Sequence, residues 1–378
     1  MKNIQMVDLQ GQYRKIKTEV NAAIQQVLDT SSYINGPLVQ DFQQNLEEYM
    51  GVKHVIPCAN GTDALQIAMM ALGLQPGDEI ITADFTFAAT VEVVGLLGLT
   101  PVLVDVDEDS MNISVEAIKK AITPKTKAIV PVHLFGRAAN MTEIMQIAKE
   151  HQLYVIEDNA QAIGANYTFA DGSKKRLGTI GDVGTTSFFP SKNLGCYGDG
   201  GAIFTNNDDL AHTIRGIVNH GMYKRYYHDV VGVNSRLDSV QAGVLNVKLP
   251  HLDAYNKARR MAADAYNNAF ADCEYIVTPK FDTQGDDHVF HQYVLRITNG
   301  KRDELLAHLQ ANNIACAIYY PIPLHLQKAY ADERYQEKDF IVTNRLCEEV
   351  LALPMHTELD SETINYITQT VLDFLNLK

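Results

Sequence analysis

Lys192 follows two phenylalanines and a proline (Phe188, Phe189, Pro190) and precedes four glycines at 195, 198, 200 and 201. A free lysine amine, with a pKa of about 10.4, is a poor nucleophile at neutral pH, so a working lysine needs desolvation, a cationic neighbour or conversion to a Schiff base. The two rings and Pro190 would supply an apolar wall, and the glycines would let backbone approach a flat ligand closely. A solvated lysine on a glycine-rich turn accounts for this stretch equally well. A second segment shifts the balance. Leu153 to Glu157 is a short β-rich run that leads into Asp158, Asn159, Ala160 and Gln161. In an open α/β sheet, ligands bind outside the carboxyl ends of the strands, which is where this carboxylate falls.

A third segment, Asn60-Gly61-Thr62-Asp63, lies between an apolar run and a helical stretch. Backbone N–H groups at a helix start form an anion site, and Thr62 adds a hydroxyl; an ordinary N-cap and turn would use the same residues. Together the acid, the later lysine and a phosphate site suit pyridoxal phosphate: the lysine carries the cofactor as a Schiff base and Asp158 keeps the pyridinium nitrogen protonated. Phe85, Thr86 and Phe87 follow another apolar run, and an aromatic there could stack on a flat cofactor, although a single Phe is more often core. The first strand is not followed by Gly-x-Gly-x-x-Gly and the chain has no Walker loop, so nicotinamide and ATP readings lose their main support.

The elements that must position these residues follow from periodicity. Apolar residues at helical spacing from 12 to 29 predict an amphipathic helix, Ser31 to Pro37 breaks it, and Pro37 suits the first turn of a second helix through Met50. Short apolar runs at His54–Pro57, Glu79–Thr82, Pro101–Val104, Ala128–Val132 and Leu153–Glu157 then alternate with helical stretches at 62–72, 86–98, 114–122 and 140–151. That alternation predicts an α/β fold with a mainly parallel sheet covered on both faces. Val183–Phe189 and Ala202–Thr205 read as strands flanking the Lys192 loop, with helices at 208–218 and 236–270 and a break near Pro250. Beyond about residue 274 the pattern is that of a small α+β unit: strands at Val289–Ile297 and Ile314–Tyr319, a helix at Lys301–Asn312 and a closing helix at Asp360–Leu377.

A chain of 378 residues exceeds what one core usually supports, so we expect two domains, 1–255 and 256–378. A formal charge of −14, with no block of Lys and Arg, disfavours nucleic acid as a partner. Five scattered cysteines without a Cys-x-x-Cys pair suggest neither a disulfide framework nor a metal site. The first eight residues lack an apolar signal region and no apolar run reaches membrane-spanning length, so the expectation is a soluble cytoplasmic protein.

The ordered motifs Asn60-Gly61-Thr62-Asp63-Ala64-Leu65, Glu157-Asp158-Asn159-Ala160-Gln161, Ser187-Phe188-Phe189-Pro190-Ser191-Lys192, Gly198-Asp199-Gly200-Gly201 and Asn234-Ser235-Arg236-Leu237-Asp238 resemble the DegT family of pyridoxal-phosphate-dependent sugar-nucleotide aminotransferases. The likeness runs over nearly the whole chain. It implies the aspartate-aminotransferase fold (fold type I), with a seven-stranded sheet in the large domain. It further implies that Lys192 and Asp158 are catalytic, and that Gly61, Thr62 and Ser187 hold the cofactor phosphate. Phe87 would stack on the ring, Gln161 would meet the ring hydroxyl, and Asn234 would reach the cofactor phosphate of a neighbouring subunit in a homodimer. Asn159 and Ile163 stand where many relatives carry Ala and His; sugar dehydratases of the same fold carry His in place of the lysine, so Lys192 argues against that branch.

The resemblance also implies the reaction: an amino group passes from L-glutamate, by way of pyridoxamine phosphate, to a nucleotide-linked keto sugar, at carbon 3, for surface polysaccharide. Amination at carbon 4, another pyridoxal reaction, or a regulator that keeps the fold are the alternatives. For the sugar, the motifs divide. Arg236 would pair with a substrate carboxylate or anchor the phosphate loop. Tyr319-Tyr320-Pro321 stands where the uronate enzymes show His-Tyr-Pro, while Pro323-Leu324-His325-Leu326-Gln327 resembles enzymes of dTDP-3-oxo-6-deoxyhexoses. Tyr319, Tyr320, His325 and Arg236 are therefore the candidate substrate residues.

Overall fold

Val155 and Ile156 are neighbours on one strand, yet they belong to apolar clusters on opposite faces of the central sheet. Successive side chains of a strand point to opposite sides, and Ile81 and Ile80 divide in the same way. A strand buried on both faces reads as an unbroken apolar run, which is why those runs mark the strands of this chain.

The computed structural model describes residues 3–376. In chain order it begins with α1 (Leu9–Thr30), α2 (Pro37–Met50), β1 (His54–Cys58), α3 (Gly61–Ala71), β2 (Glu79–Ala83), α4 (Ala89–Leu96) and β3 (Thr100–Val104). It continues with α5 (Val115–Ala121), β4 (Thr126–Val130), α6 (Met141–His151), β5 (Tyr154–Asp158), β6 (Asn166–Thr168), β7 (Lys174–Arg176), β8 (Val183–Ser187) and β9 (Gly201–Thr205). Then come α7 (Asp208–Ile217), β10 (Met222–Lys224), β11 (Tyr227–His228), α8 (Ser239–Lys248) and α9 (Leu252–Phe270). The last elements are β12 (Ile276–Val277), β13 (Tyr293–Ile297), α10 (Arg302–Ala311), α11 (Ile341–Glu349), β14 (Val350–Leu353) and α12 (Ser361–Asn376).

The central sheet has seven strands in the order β1-β9-β8-β5-β4-β2-β3. Its strands from β8 to β3 are parallel, and only β9 runs against the others. This is the mainly parallel seven-stranded sheet that the resemblance implies. Helices α5 and α6 cover one face through Ile118 and Ile144, and α3, α4 and α7 cover the other through Leu65, Val93 and Ile214. Because β2, β4, β5 and β8 are parallel, their carboxyl ends meet along one side of the sheet.

The second unit is the three-stranded sheet β12-β13-β14 with α9, α10 and α12 packed on it through Tyr266, Leu305 and Ile367. The expected division at 255/256 falls inside α9. Val294, Leu346 and Val350 of this unit join the cluster that covers the central sheet, and Leu324 and Phe340 pack with Val91 and Leu103, so the two units share apolar contacts.

Three expectations need correction. Ile314–Tyr319 is not a strand: Ile314 makes one bridge to Ile4 and Ala317 one to Ala352, so the segment changes partner before a ladder can grow. The strand expected from Val289 begins only at Tyr293, because Phe290 takes a φ of 45° and Val289 N–H donates to Gly136 O instead of extending the sheet. The helix expected from residue 86 begins at Ala89. The hairpins β6–β7 and β10–β11, helix α11 and strand β14 went unread, being short or lying in the irregular stretch after residue 320. The end of the closing helix at Leu377, and Met1 and Lys2 of the N-terminal reading, lie outside the described residues. Among the described residues no helix is long and apolar enough to cross a membrane, and all five cysteines are unpaired.

Candidate active site

Asp158 is the last residue of β5, so it emerges at the carboxyl edge of the sheet. Strand alternation sends Glu157 to the other face, where it is fully buried and accepts hydrogen bonds from the N–H groups of Gly178 (2.8 Å), Ile180 (2.6 Å) and Gly181 (2.7 Å), and pairs with His133 Nε2 at 2.9 Å. Those bonds fasten the strand end. Asp158 itself is 5% exposed; its Oδ2 accepts from Thr90 Oγ1 at 2.8 Å and its Oδ1 from Ala160 N–H at 3.1 Å. Both contacts use the carboxyl group as an acceptor, which orients it.

Lys192 sits on the loop between β8 and β9, and its N–H donates to Phe189 O at 2.8 Å, closing a turn. Burial pushes its amine down to about 8, against the opposing pull of the Asp158 carboxylate. The loop is braced from below by Lys248, the buried last residue of α8, whose Nζ donates to Gly195 O at 2.7 Å and lies 4.5 Å from the centre of the Tyr197 ring. The apolar wall expected from the sequence divides in two: Phe188 is fully buried against Phe42, while Phe189 is 51% exposed.

The helix start is built as the sequence suggests. Asn60 caps α3, its side chain accepting from Asp63 N–H at 2.7 Å, which leaves the N–H groups of Gly61 and Thr62 without intrahelical acceptors. Ser187, at the end of β8, lies against Gly61: a Cβ on Gly61 would meet the Ser187 Cβ at 2.8 Å. Across the β8–β9 pair, Ser187 faces Gly201, where a Cβ would meet the carbonyl carbon and oxygen of Asn60 at 2.5 Å. This cradle exists because two glycines allow three backbones to meet. Gly201→Ala is therefore expected to cost about 1–3 kcal/mol through overpacking and to loosen cofactor retention. The checks are the denaturation midpoint and the cofactor content after dialysis, and an unchanged pair of values would mean that Asn60 has room to move.

Four aromatic rings line the same edge. Phe85 and Phe87 follow β2, Phe135 follows β4, and Tyr320 arrives from the second unit. The Tyr320 ring centre lies 5.9 Å from that of Phe85, 6.5 Å from Phe87 and 6.4 Å from Phe135, the last pair stacked at 21°. Phe85 is 1% exposed and belongs to the core, whereas Phe87 is 58% exposed and free to cover a ligand. Gln161 accepts from Phe135 N–H at 2.6 Å through Oε1, so its Nε2 turns to the Tyr320 hydroxyl at 3.3 Å. Burial holds that hydroxyl well above the usual tyrosine range, with the Asp158 charge adding to the effect and the Gln161 bond opposing it.

The structure thus brings together Lys192, Asp158, Gln161, Phe87 and Tyr320, and places Gly61, Thr62 and Ser187 at the adjoining helix start. Asn234 and Arg236 do not join them directly. Between them, Ser235 accepts from Ala59 N–H at 3.0 Å, which moors this loop beside the start of α3; Asn234 is exposed, and Arg236 has no ion pair among the described residues. His325 goes elsewhere. It is 4% exposed, its ring stacks on Phe340 at 4.2 Å, and its Nδ1 and N–H meet the two oxygens of Asp84 at 2.6 and 2.7 Å. Burial raises the Asp84 carboxyl, and its bonds to His325 oppose that rise. The geometry is that of a clamp that fastens the segment after Tyr320 to the end of β2.

Three residues of the site escaped the sequence reading. Thr90 is one hydroxyl in an apolar helix, Phe135 is one ring after a strand, and His291 lies in a run read as a continuous strand. None has a spacing signal, because each arrives from a different element. A buried acid, a buried amine of lowered pKa, a glycine-built anion cradle and an exposed ring fit pyridoxal phosphate, whose ring nitrogen, aldehyde, phosphate and π-face require those four partners.

A family model for the DegT/DnrJ/EryC1/StrS aminotransferase family matches residues 14–372. The chain is 45% identical over 374 residues to a "Pleiotropic regulatory protein" of Geobacillus stearothermophilus, covering 98% of each chain. It is also 45% identical over 364 residues to the UDP-2-acetamido-2-deoxy-3-oxo-D-glucuronate aminotransferase of Pseudomonas aeruginosa, covering 96% of this chain and 98% of the relative. Among solved structures, NtdA from Bacillus subtilis with bound cofactor PMP is similar with a TM-score of 0.88 at 30% identity, over 96% of this chain and 82% of that one.

Proposed function

The chain belongs to the DegT/DnrJ/EryC1/StrS aminotransferase family, whose enzymes use pyridoxal phosphate, and from that premise we propose that it transfers an amino group from L-glutamate to carbon 3 of a nucleotide-linked keto sugar destined for surface polysaccharide. The observation that carries the reading is a half-buried lysine, its amine lowered by desolvation, set near a buried carboxylate at the carboxyl edge of the sheet. Bound pyridoxal phosphate supplies an electron sink for the carbon that loses its proton. The residues of this chain do the rest.

Asp158 holds a proton at the ring nitrogen, its own orientation held by Thr90 and Ala160. Gly61 and Thr62 N–H with the Ser187 hydroxyl bind the phosphate, Phe87 covers one face of the ring, and Gln161 Nε2 meets the ring hydroxyl. Lys192 holds the cofactor between turnovers and carries a proton between the two carbons that exchange it. With a pKa of about 8, its uncharged fraction at neutral pH is roughly 300-fold above that of a lysine at 10.5. Carbon 3 as the acceptor is supported by the 3-oxo sugar named for the Pseudomonas aeruginosa relative. Asn234, exposed on a loop moored beside the phosphate cradle, would reach the partner's cofactor in a homodimer. The regulatory name of the Geobacillus relative does not account for the amine and acid, since a binder needs neither.

The test is the visible absorbance of the cofactor-loaded protein before and after L-glutamate. Loss of the aldehyde-form band, restored by a 3-oxo sugar nucleotide and not by its 4-oxo isomer, is the expected result. A band that glutamate leaves unchanged overturns the donor, and restoration by the 4-oxo isomer alone overturns the carbon.

A further inference from the structure

A cavity of about 330 Å³ opens beside Lys192, walled by its neighbour Ser191 and by His291, Gln292, Tyr319, Gln5 and Met355. It adjoins the cofactor wall. Gln292 N–H donates to Phe135 O at 3.4 Å, Phe135 stacks on Tyr320, and a Cβ on Gly136 would meet both Gln161 O and His291 N at 3.0 Å. Two polar atoms on this wall, His291 Nδ1 and Gln292 Oε1, are buried and have no hydrogen-bond partner, and His291 as a whole is 7% exposed. A buried polar atom left unpaired is costly, so such a pair marks a place where a ligand completes the bonding.

The chemistry of that ligand follows from the wall. Gln292 Oε1 only accepts, and a neutral imidazole nitrogen gives or takes one bond according to tautomer. Burial, with the charges of Lys192 and Arg259 adding to it, holds His291 well below the usual histidine range, so its ring is neutral. Among the described residues no lysine, arginine or carboxylate lines the cavity. Hydroxyl groups satisfy both orphan atoms, whereas a carboxylate, which has no proton to give, cannot bond to Gln292 Oε1 and meets no lysine or arginine among the described lining residues. At roughly 30 Å³ per water, the volume holds about eleven waters, the scale of a single sugar ring and not of a whole sugar nucleotide.

We propose that this cavity receives the sugar ring of the acceptor and selects a hexose uncharged at carbon 6 over a uronate, with His291 and Gln292 meeting its hydroxyl groups. The inference rests on the sugar-nucleotide reading above and narrows it, since the Pseudomonas aeruginosa relative is named for a glucuronate.

Calorimetric titration of the cofactor-loaded protein with UDP-N-acetylglucosamine and with UDP-N-acetylglucosaminuronic acid tests it without turnover. The neutral sugar is expected to bind at least about tenfold tighter. His291→Leu should weaken the neutral sugar and narrow the ratio, and Tyr319→Lys, at a half-buried wall position where folding is less at stake, should move the ratio toward the uronate. A loss of fold would lower both affinities together and leave the ratio alone. Equal binding by the wild-type protein, tighter uronate binding, or a ratio indifferent to Tyr319→Lys overturns the selectivity while leaving the aminotransferase reading intact. If neither compound binds and glutamate still converts the cofactor, the sugar-nucleotide reading itself falls, and this inference with it.

Discussion

Lys192→Ala is expected to reduce turnover by more than about 10⁴-fold, because in the proposed reading one side chain both holds the cofactor and moves the proton. Its position explains the size of the effect. The amine lies on a turn closed by its own N–H on Phe189 O, with Lys248 bracing the loop at Gly195, and no neighbouring amine replaces it: Lys248 is committed to that carbonyl and to the Tyr197 ring. The variant should stay folded, since a shorter side chain removes a buried cation that was costly to hold. The amine can also be measured directly. In cofactor-free protein, carbamylation of Lys192 by cyanate, followed by mass spectrometry across a pH series, should reach half its maximal rate near pH 8, while exposed lysines do so above pH 10. The sign of the linkage follows. An amine whose pKa falls on folding takes up a proton on unfolding between pH 8 and 10.5, so cofactor-free protein gains stability from this group as pH rises through that window. Half-maximal modification above pH 10 at Lys192 would remove the desolvation argument, and appreciable turnover by Lys192→Ala would remove the assignment.

Asp158→Asn is expected to lower kcat by about 10²–10⁴-fold with little change in fold. The amide has the shape of the carboxylate and keeps an oxygen for Ala160 N–H, and Thr90 Oγ1 can turn to accept from its NH₂. What disappears is the negative charge that, in the proposed reading, would hold a proton at the ring nitrogen and deepen the electron sink. Stopped-flow measurement of the glutamate half-reaction isolates this loss from sugar binding. Thr90→Val, which removes only the bond that orients the carboxylate, should have a smaller effect of the same sign. An Asp158→Asn protein with wild-type rates would mean that the carboxylate serves only to anchor the strand end.

Much of the site was legible because its parts are local. Asp158 ends an apolar run, and the end of a buried parallel strand is where ligands bind whatever the rest of the chain does. Asn60 to Asp63 carry a cap and a helix start within four residues. Lys192 announces itself by the glycines that follow it, and Gly201 shows their purpose, since any side chain there would strike the Asn60 carbonyl.

The misreadings have a common cause. His325 sits in a motif that suggested substrate, yet Asp84, 241 residues earlier, captures both its ring and its N–H. Ile314–Tyr319 has a strand's composition, but its two bridges go to different partners, Ile4 and Ala352. Hydropathy reports whether a segment is buried and says nothing of which partner it finds.

The sequence by itself determined the class of fold, the strand that ends in the acid, the loop that carries the amine and the helix start at Asn60–Asp63, because each is written in the spacing of neighbouring residues. Only the tertiary structure decided that Tyr320 closes over Gln161 from the second unit, that Thr90 holds Asp158, that His325 is a clamp, and that His291 and Gln292 wall an uncharged cavity beside Lys192. Those contacts join residues that are 68 to 241 positions apart or that meet only across the joint between the two units. Packing sets them, and no local period records it.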